Sequence, residues 1–300
     1  MIAYRLRIDV PDDFDYEANI AYLSRSPNEC MHTVIDGAVL KRIPTGSSAP
    51  LVRLTGSGNA PLLVEVYGEP NRPDVEQAEA ITCYVREWFD LDNDMGTFYA
   101  MARKDAILGG VAERYRGLRI VGIPDLFEAI CWGILGQQIN LPFAYTLKKR
   151  FVVQFGHSEE HEGMSYWTFP KPATIAALTP DTLTPLQITR RKSEYMIGVA
   201  QLIAEGALSK RKLLEVGSAR EAERLLVAIR GIGPWTANYV LMRCLRYPDA
   251  LPIDDVGLHN ALQAVLGLPD KPSIRHIREL AACWSGWEAY ATFYLWRVLY

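Results

Sequence analysis

The sequence lacks a charge imbalance of either sign, since 32 lysines and arginines stand against 35 aspartates and glutamates, a formal charge of −3. So small a net charge gives no global attraction for nucleic acid, and any such attraction has to come from local groups. No apolar run reaches about 18 residues, the length of a membrane-spanning helix, and the first residues show no basic-then-apolar leader pattern. We therefore expect a cytoplasmic protein without membrane contact.

Cysteine is also scarce, and its five copies lie far apart: Cys30, Cys83, Cys131, Cys244 and Cys283. An odd number of single cysteines without a C-x-x-C pair argues against a disulfide framework, a zinc site and an iron–sulfur cluster. We expect reduced thiols and no required cofactor.

Two kinds of pattern divide the 300 residues. Up to about residue 70, short runs of β-branched and apolar residues alternate with turn signals such as Asp36-Gly37, which predicts an antiparallel sheet with hairpins. From about residue 74 the apolar spacing is helical, whereas the acidic, turn-rich segment 156–172 is interpreted as an exposed loop. The predicted fold class is α+β: a small N-terminal antiparallel sheet domain over 1–105 and a mostly α-helical region over 106–300.

The segment "RGIGPWTANYV", residues 230–240, joins two predicted helices. Ser218 begins the first helix as a cap, Gly231 ends it, and Pro234 suits the first turn of the second. The exposed amides of such a hairpin form an anion site, and a DNA phosphate is an anion. An ordinary corner between two helices is the alternative. We predict a helix–hairpin–helix unit over 218–247.

A second feature directly follows the predicted helix–hairpin–helix unit. Residues 248–256 form a Pro-containing loop that reaches Asp254-Asp255 just before a helical pattern begins. Aspartate is a favoured helix cap, so a purely structural role is the simpler interpretation of each. The combination of the hairpin with this loop and its aspartates is a more specific indication of function than either part alone.

That combination resembles the helix–hairpin–helix DNA glycosylases, and most of all the bacterial 3-methyladenine DNA glycosylase II type. "FEAICWGILGQQI" at 127–139 and "EAYATFYLWRVLY" at 288–300 extend the resemblance, which spans roughly 105–300. It implies a glycosylase body in the helical region. It also implies a monomeric, monofunctional enzyme that flips alkylated purines out of double-stranded DNA and excises them by hydrolysis in base excision repair.

The resemblance assigns the catalytic role to Asp255, which would stabilise positive charge on the sugar and assist water. Asp254 is expected to cap or shape the turn. The base-binding pocket is expected from Trp235, Tyr239 and Trp296, whose electron-rich faces attract a cationic alkylated base. Each aromatic residue taken alone is more often part of a core.

The resemblance also implies DNA contacts, with Gln138 as the wedge that enters the duplex. Related enzymes carry an apolar residue or a glutamine at the wedge, and hydrogen bonding on the helix surface is the alternative for both glutamines. The basic run Arg190-Arg191-Lys192 is either a solvated helix face or a set of phosphate contacts. The predicted DNA-binding residues are Gln137, Gln138, Gly231, Gly233 and Thr236. The resemblance also implies a monovalent cation on the backbone carbonyls of Val227, Ile229 and Gly231.

Trp235 stands where lyase-competent relatives carry the lysine that attacks the sugar. An indole has no nucleophilic amine, so the resemblance implies base excision without strand cutting. Two other functions stay open: a non-catalytic protein that binds damaged DNA, and a bifunctional glycosylase/lyase for oxidised bases.

Overall fold

The computed structural model describes residues 1–69 and 74–299. Its N-terminal part contains a five-stranded antiparallel sheet in the order β1-β5-β4-β3-β2. Asp36 and Gly37 both have positive φ, 49° and 74°, and form the tight turn between β2 and β3. The predicted sheet and its hairpin are therefore confirmed. The strands are β1 (Ile2–Ile8), β2 (Thr33–Ile35), β3 (Ala38–Arg42), β4 (Leu51–Thr55) and β5 (Leu62–Tyr67).

One helix lies inside the region where only strands were predicted. Helix α1 (Tyr16–Leu23) begins at Asp15, whose carboxylate accepts the backbone N–H of Ala18 at 2.7 Å. It has only eight residues. So short a run holds too few apolar positions for the helical period to stand out from its neighbours.

The remainder of the described chain is mainly helical, as predicted. Pro142 lies in the first turn of α6, where its missing N–H costs no hydrogen bond. Helix α12 runs on into a π-helical turn over Leu241–Leu245. The helices after α1 are α2 (Val75–Phe89), α3 (Gly96–Ala102), α4 (Leu108–Arg114), α5 (Leu126–Gly136), α6 (Leu141–Phe155), α7 (Pro172–Ala176), α8 (Pro180–Leu183), α9 (Arg190–Ala204), α10 (Lys210–Glu215), α11 (Ala219–Val227), α12 (Pro234–Val240), α13 (Val256–Leu266), α14 (Ile274–Ala281) and α15 (Glu288–Trp296).

The acidic segment predicted as an exposed loop is a β-hairpin, formed by β6 (His157–His161) and β7 (Met164–Thr168). Buried Arg42 of β3 donates to the His157 ring at 2.9 Å and pairs with Glu159 at 3.2 Å. Tyr166 packs against the sheet. The segment is exposed over much of its length as predicted, but the absence of regular structure is wrong, because a long-range partner in the sheet supplies the order that the local composition does not.

The sheet and the helices share one large hydrophobic core, to which buried residues along the chain from Ile8 to Leu295 contribute. The predicted boundary near residue 105 falls between α3 and α4, but packing is continuous across it, so this division stays a prediction. In the part of the chain that the structure describes, every helix is too short or too polar to cross a membrane.

Candidate active site

The hairpin between α11 and α12 forms as its sequence predicts. Ser218 caps α11, and Gly233 is the N-cap residue of α12, with Pro234 directly after it. Gly231 has φ 97°, and a β-carbon at this position would enter the ring of Tyr195. Glycine is therefore required here both by backbone conformation and by the close approach of α9. Gly233 is exposed.

Asp255 lies at the start of α13, and its side chain points inward. Its Oδ1 accepts the backbone N–H of Leu258 at 2.7 Å, and the residue is only 9% exposed. Asp254 is exposed. Of the two roles expected of Asp254, the helix cap is wrong, because Asp255 itself is the cap, and shaping the turn stays a prediction.

Two indoles donate to the same carboxylate. The Nε1–H of Trp235 reaches Oδ2 of Asp255 at 2.8 Å, and the Nε1–H of Trp296 reaches Oδ1 at 2.7 Å. An ionised carboxylate offers about four lone-pair sites, so these donors and the Leu258 amide leave about one for a water molecule. The site thus holds a fixed, oriented negative charge with restricted access.

The three predicted pocket aromatics do come together. The ring centroids of Trp235 and Tyr239 are 5.7 Å apart, and those of Tyr239 and Trp296 are 6.3 Å apart, with planes inclined by 30° and 29°. Tyr239 is 5% exposed, and burial raises the pKa of its hydroxyl, which therefore stays protonated. Both indoles are half-buried and retain access to solvent.

The π-helical turn holds the hydroxyl of Tyr239 in place. Arg243, four residues later, donates to the Tyr239 hydroxyl at 3.0 Å and to the carbonyl of Val121 at 2.7 Å. π-helical turns are rare and often occur at functional sites. Sequence reasoning missed Arg243, because a regular helical period does not reveal a π-helical turn.

Gly257 is a further site residue that the sequence reasoning did not single out. A β-carbon there would lie 2.8 Å from Oδ1 of Asp255 and 3.1 Å from Nε1 of Trp296. The first distance is shorter than a β-carbon tolerates and the second is tighter than nearly all β-carbon contacts, so a larger residue here would shift the carboxylate or the indole. Its position two residues after Asp255 was the available signal.

Two of the predicted DNA-binding residues point into the protein. The side-chain amide of Gln137 donates to the carbonyl of Gly231 at 2.9 Å and to the hydroxyl of Thr236 at 3.2 Å. Thr236 is 1% exposed and fits against Gly133 of α5. These contacts join the end of α5 to the hairpin. Gln138, in contrast, is exposed and has φ 57°.

The carbonyls predicted to bind a monovalent cation are partly engaged. That of Ile229 accepts the N–H of Ile232 at 3.0 Å, and that of Gly231 accepts Gln137. Each carbonyl oxygen has a second lone pair, so these hydrogen bonds leave an acceptor site on both, and the cation site with Val227 stays a prediction. Among the described residues, no cluster of three or more His, Cys, Asp or Glu side chains is placed to hold a metal ion.

A polar cavity of about 40 Å³ lies beside Tyr239, between the sheet and the helices. Arg25 lines it, with the guanidinium carbon 3.7 Å from the centroid of the Tyr22 ring and 5.9 Å from that of Tyr145. A permanent cation therefore lies among the aromatic side chains that line this cavity. Sequence reasoning missed Arg25, because its partner Tyr145 is 120 residues away along the chain.

Comparison with known proteins decides the family. Residues 131–287, more than half of the chain, match the HhH-GPD superfamily of base excision DNA repair proteins. The chain belongs to this superfamily. The predicted resemblance to helix–hairpin–helix glycosylases is thereby confirmed. Residues 21–130 of this HhH-GPD protein match the N-terminal domain of 8-oxoguanine DNA glycosylases.

Several relatives are similar over nearly the full length. A DNA-3-methyladenine glycosylase of Bacillus subtilis is 49% identical over 98% of this HhH-GPD chain and 96% of its own. A 3-methyladenine DNA glycosylase structure from Archaeoglobus fulgidus has a TM-score of 0.81 at 23% identity and covers 98% of this chain and 97% of its own. A Clostridium acetobutylicum 8-oxoguanine glycosylase/lyase bound to DNA has a TM-score of 0.75 at 17% identity, with 99% and 97% covered. The two structures show the fold alone.

Proposed function

We propose that this HhH-GPD protein is a monofunctional DNA glycosylase that releases alkylated purines, such as 3-methyladenine and 7-methylguanine, from double-stranded DNA by hydrolysis, acting as a monomer. The observation that carries the proposal is the carboxylate of Asp255, which accepts one indole N–H on each oxygen. Nearly full-length similarity to a protein named DNA-3-methyladenine glycosylase supports the reaction class.

The reaction requires the damaged nucleotide to leave the base stack, because the anomeric carbon is inaccessible inside a duplex. Gln138, exposed at the end of α5, would fill the space left by the extruded base. The exposed hairpin residue Gly233 and its neighbour Gly231 would bind a backbone phosphate through their amides. A monovalent cation, where bound on the hairpin carbonyls, would add positive charge beside that phosphate.

Cleavage of the glycosidic bond develops positive charge on the sugar. The oriented carboxylate of Asp255 would stabilise this charge electrostatically and accept a hydrogen bond from the attacking water. Because three donors already occupy its oxygens, we assign it mainly an electrostatic role.

Hydrolysis, rather than lyase chemistry, follows from Trp235. Its indole donates to Asp255 and offers no amine, and residues 228–247 contain no lysine. The half-buried faces of Trp235 and Trp296 suit a cationic alkylated ring, which is also a good leaving group.

The test is release of free base from an alkylated duplex by the wild type, by Asp255→Asn and by Asp254→Asn. Asparagine is also a good helix cap, so Asp255→Asn should fold while losing at least about a hundredfold in rate. The matched Asp254→Asn change, at the exposed neighbour, should keep the wild-type rate. Equal rates for the wild type and Asp255→Asn would refute the assigned role.

The same assay separates the other candidate functions. A wild type that binds the damaged duplex without releasing base is a damage-binding protein. Borohydride trapping of a covalent adduct on abasic or oxidised DNA would instead show a lyase.

A further inference from the structure

Lys192 turns away from solvent and contacts the end of α5. This residue of α9 donates from Nζ to the carbonyl of Leu135 and to the carbonyl of Gln137, each at 2.8 Å. It is half-buried, and burial lowers the pKa of its ammonium. The basic run at 190–192 is therefore not a uniformly solvated face, since one of its cations is directed into the protein.

The lysine acts at the point where α5 ends. The last carbonyls of a helix have no intrahelical donor and carry the negative end of its dipole, so a cation stabilises them. Directly after them, Gln138 adopts φ 57°, a left-handed conformation that is unfavourable for a residue with a β-carbon. Surrounding contacts must hold the backbone in this state.

Two contacts from different elements fix the preceding residue. Lys192 binds the backbone carbonyl of Gln137 from α9, and Gln137 binds the carbonyl of Gly231 in the hairpin through its side chain. Gln138 itself stays exposed. The end of α5 is thus restrained on two sides, while the side chain that projects from it is free to enter a duplex.

We propose that Lys192 is a positioning residue for Gln138, which it holds in the conformation that displaces a damaged base from the duplex. This rests on the proposed glycosylase function. The role does not involve contact with the reacting atoms. The proposed role predicts that removing Lys192 lowers the rate of base release only on substrates in which a paired base has to be displaced.

Another lysine of the same helix bundle provides a contrast. Lys210 donates to the carbonyl of Pro124, just before α5 begins, at 3.1 Å and pairs with Glu87 at 2.8 Å. In residues 1–69 and 74–299, no carboxylate lies within ion-pair distance of Lys192. Its charge is therefore directed to the helix end that carries Gln138.

The test compares Lys192→Met with Lys192→Arg and with the matched control Lys210→Met, under single-turnover conditions. One substrate is a duplex with 7-methylguanine opposite cytosine, and the other has the same lesion opposite an abasic-site analogue, where no pairing opposes extrusion. Lys192→Met should lose about tenfold or more on the paired lesion and less than about twofold on the unpaired one. Lys192→Arg, which keeps a cationic donor, should recover most of the rate, and Lys210→Met should affect both substrates equally.

A second measurement follows extrusion directly. With Asp255→Asn as the background, the fluorescence of 2-aminopurine next to the lesion should rise on binding, and adding Lys192→Met should remove most of that rise while DNA affinity stays within about threefold. Equal loss on both substrates would reduce Lys192 to a structural contact and overturn the proposal, as would no loss on either. A wild type that releases no base from either duplex would instead refute the proposed function.

Discussion

Asp255 caps α13 and also accepts hydrogen bonds from two indole N–H groups. Small changes in the residues that contact it therefore affect both folding and chemistry. The arrangement depends on close approaches that a single methyl group can disrupt. At this scale the sequence supplies the residue types, but not the distances between them.

Gly257→Ala should separate Trp296 from Asp255. The added methyl would lie 2.8 Å from the Asp255 carboxylate and 3.1 Å from the Trp296 indole nitrogen, so one of them must move. Alanine favours a helix, so stability should change by no more than about 1–2 kcal/mol, while base release falls about tenfold or more. The control is Gly198→Ala in α9, where a β-carbon meets nothing within 4 Å. Rates of base release and urea midpoints are measured for both variants. If Gly257→Ala loses activity only in proportion to a loss of stability, the prediction is contradicted.

Arg25→Gln should alter selectivity between charged and neutral bases. The guanidinium lies against Tyr22 and lines the cavity beside Tyr239, so it repels a cationic ring more than a neutral one. Its removal should raise kcat/KM for 7-methylguanine relative to neutral hypoxanthine by about threefold or more. Arg7→Gln, at an exposed position of β1, should leave the ratio unchanged. An unchanged ratio for Arg25→Gln would show that the cation lies outside the influence of the bound base.

At the scale of elements, local signals predicted what local energetics determine. Asp36-Gly37 specified a tight turn because both residues tolerate positive φ, and Pro234 marked the start of α12. The β6–β7 hairpin was missed because its order depends on Arg42 and the sheet, which are distant in sequence.

The site shows the same division. Resemblance brought Trp235 and Asp255 together, and the structure joins them directly. It did not show that Gln137 and Thr236 face each other, because the residues at a helix end can point either way. Nor did it indicate Gly257, whose requirement follows from a three-dimensional approach.

Arg42→Met should loosen the β6–β7 hairpin from the sheet. The change removes the hydrogen bond to His157, the ion pair with Glu159 and a bond to the carbonyl of Ala49. We expect a loss of about 2 kcal/mol in the free energy of unfolding. Arg211→Met removes only an exposed pair with Glu215 and should cost less than about 0.5 kcal/mol. Urea denaturation measures the free energy of unfolding of both variants. Equal losses would mean that the contacts of Arg42 add no more stability than an exposed ion pair.

At the scale of the whole molecule, charged groups are buried where the sheet meets the helices. Lys148 pairs with Glu29 at 3.2 Å and with Glu128 at 2.9 Å, and Lys41 donates to the carbonyl of Met31. Burial alone raises the pKa of Glu29, but the Lys148 ammonium, together with His32, the Met31 backbone N–H and Lys41, holds that pKa well below its usual range. The two halves of the fold are thus joined by groups that titrate.

His32 should make stability fall in mild acid. Burial lowers its pKa from 6.5 to about 4, although Glu29 opposes the shift, and nearby Lys41 and Lys148 add to it. Between these pH values the unfolded chain binds more protons than the folded one, so the free energy of unfolding decreases as the pH falls from 6.5 towards 4. The Glu29 contribution is lost only below about pH 4.5, the ordinary value for that residue type. Urea unfolding at several pH values should show a smaller decrease for His32→Asn, and identical slopes would exclude this histidine as the source.

Two of the seven tryptophans donate their indole N–H to one carboxylate, in the pocket predicted to bind the flipped base. Indole emission responds to hydrogen bonding and to stacking against a purine. The site therefore contains its own optical reporter: an extruded base that stacks on either ring should quench and shift the intrinsic fluorescence. Base entry can then be timed in unlabelled protein and DNA, before any bond is broken.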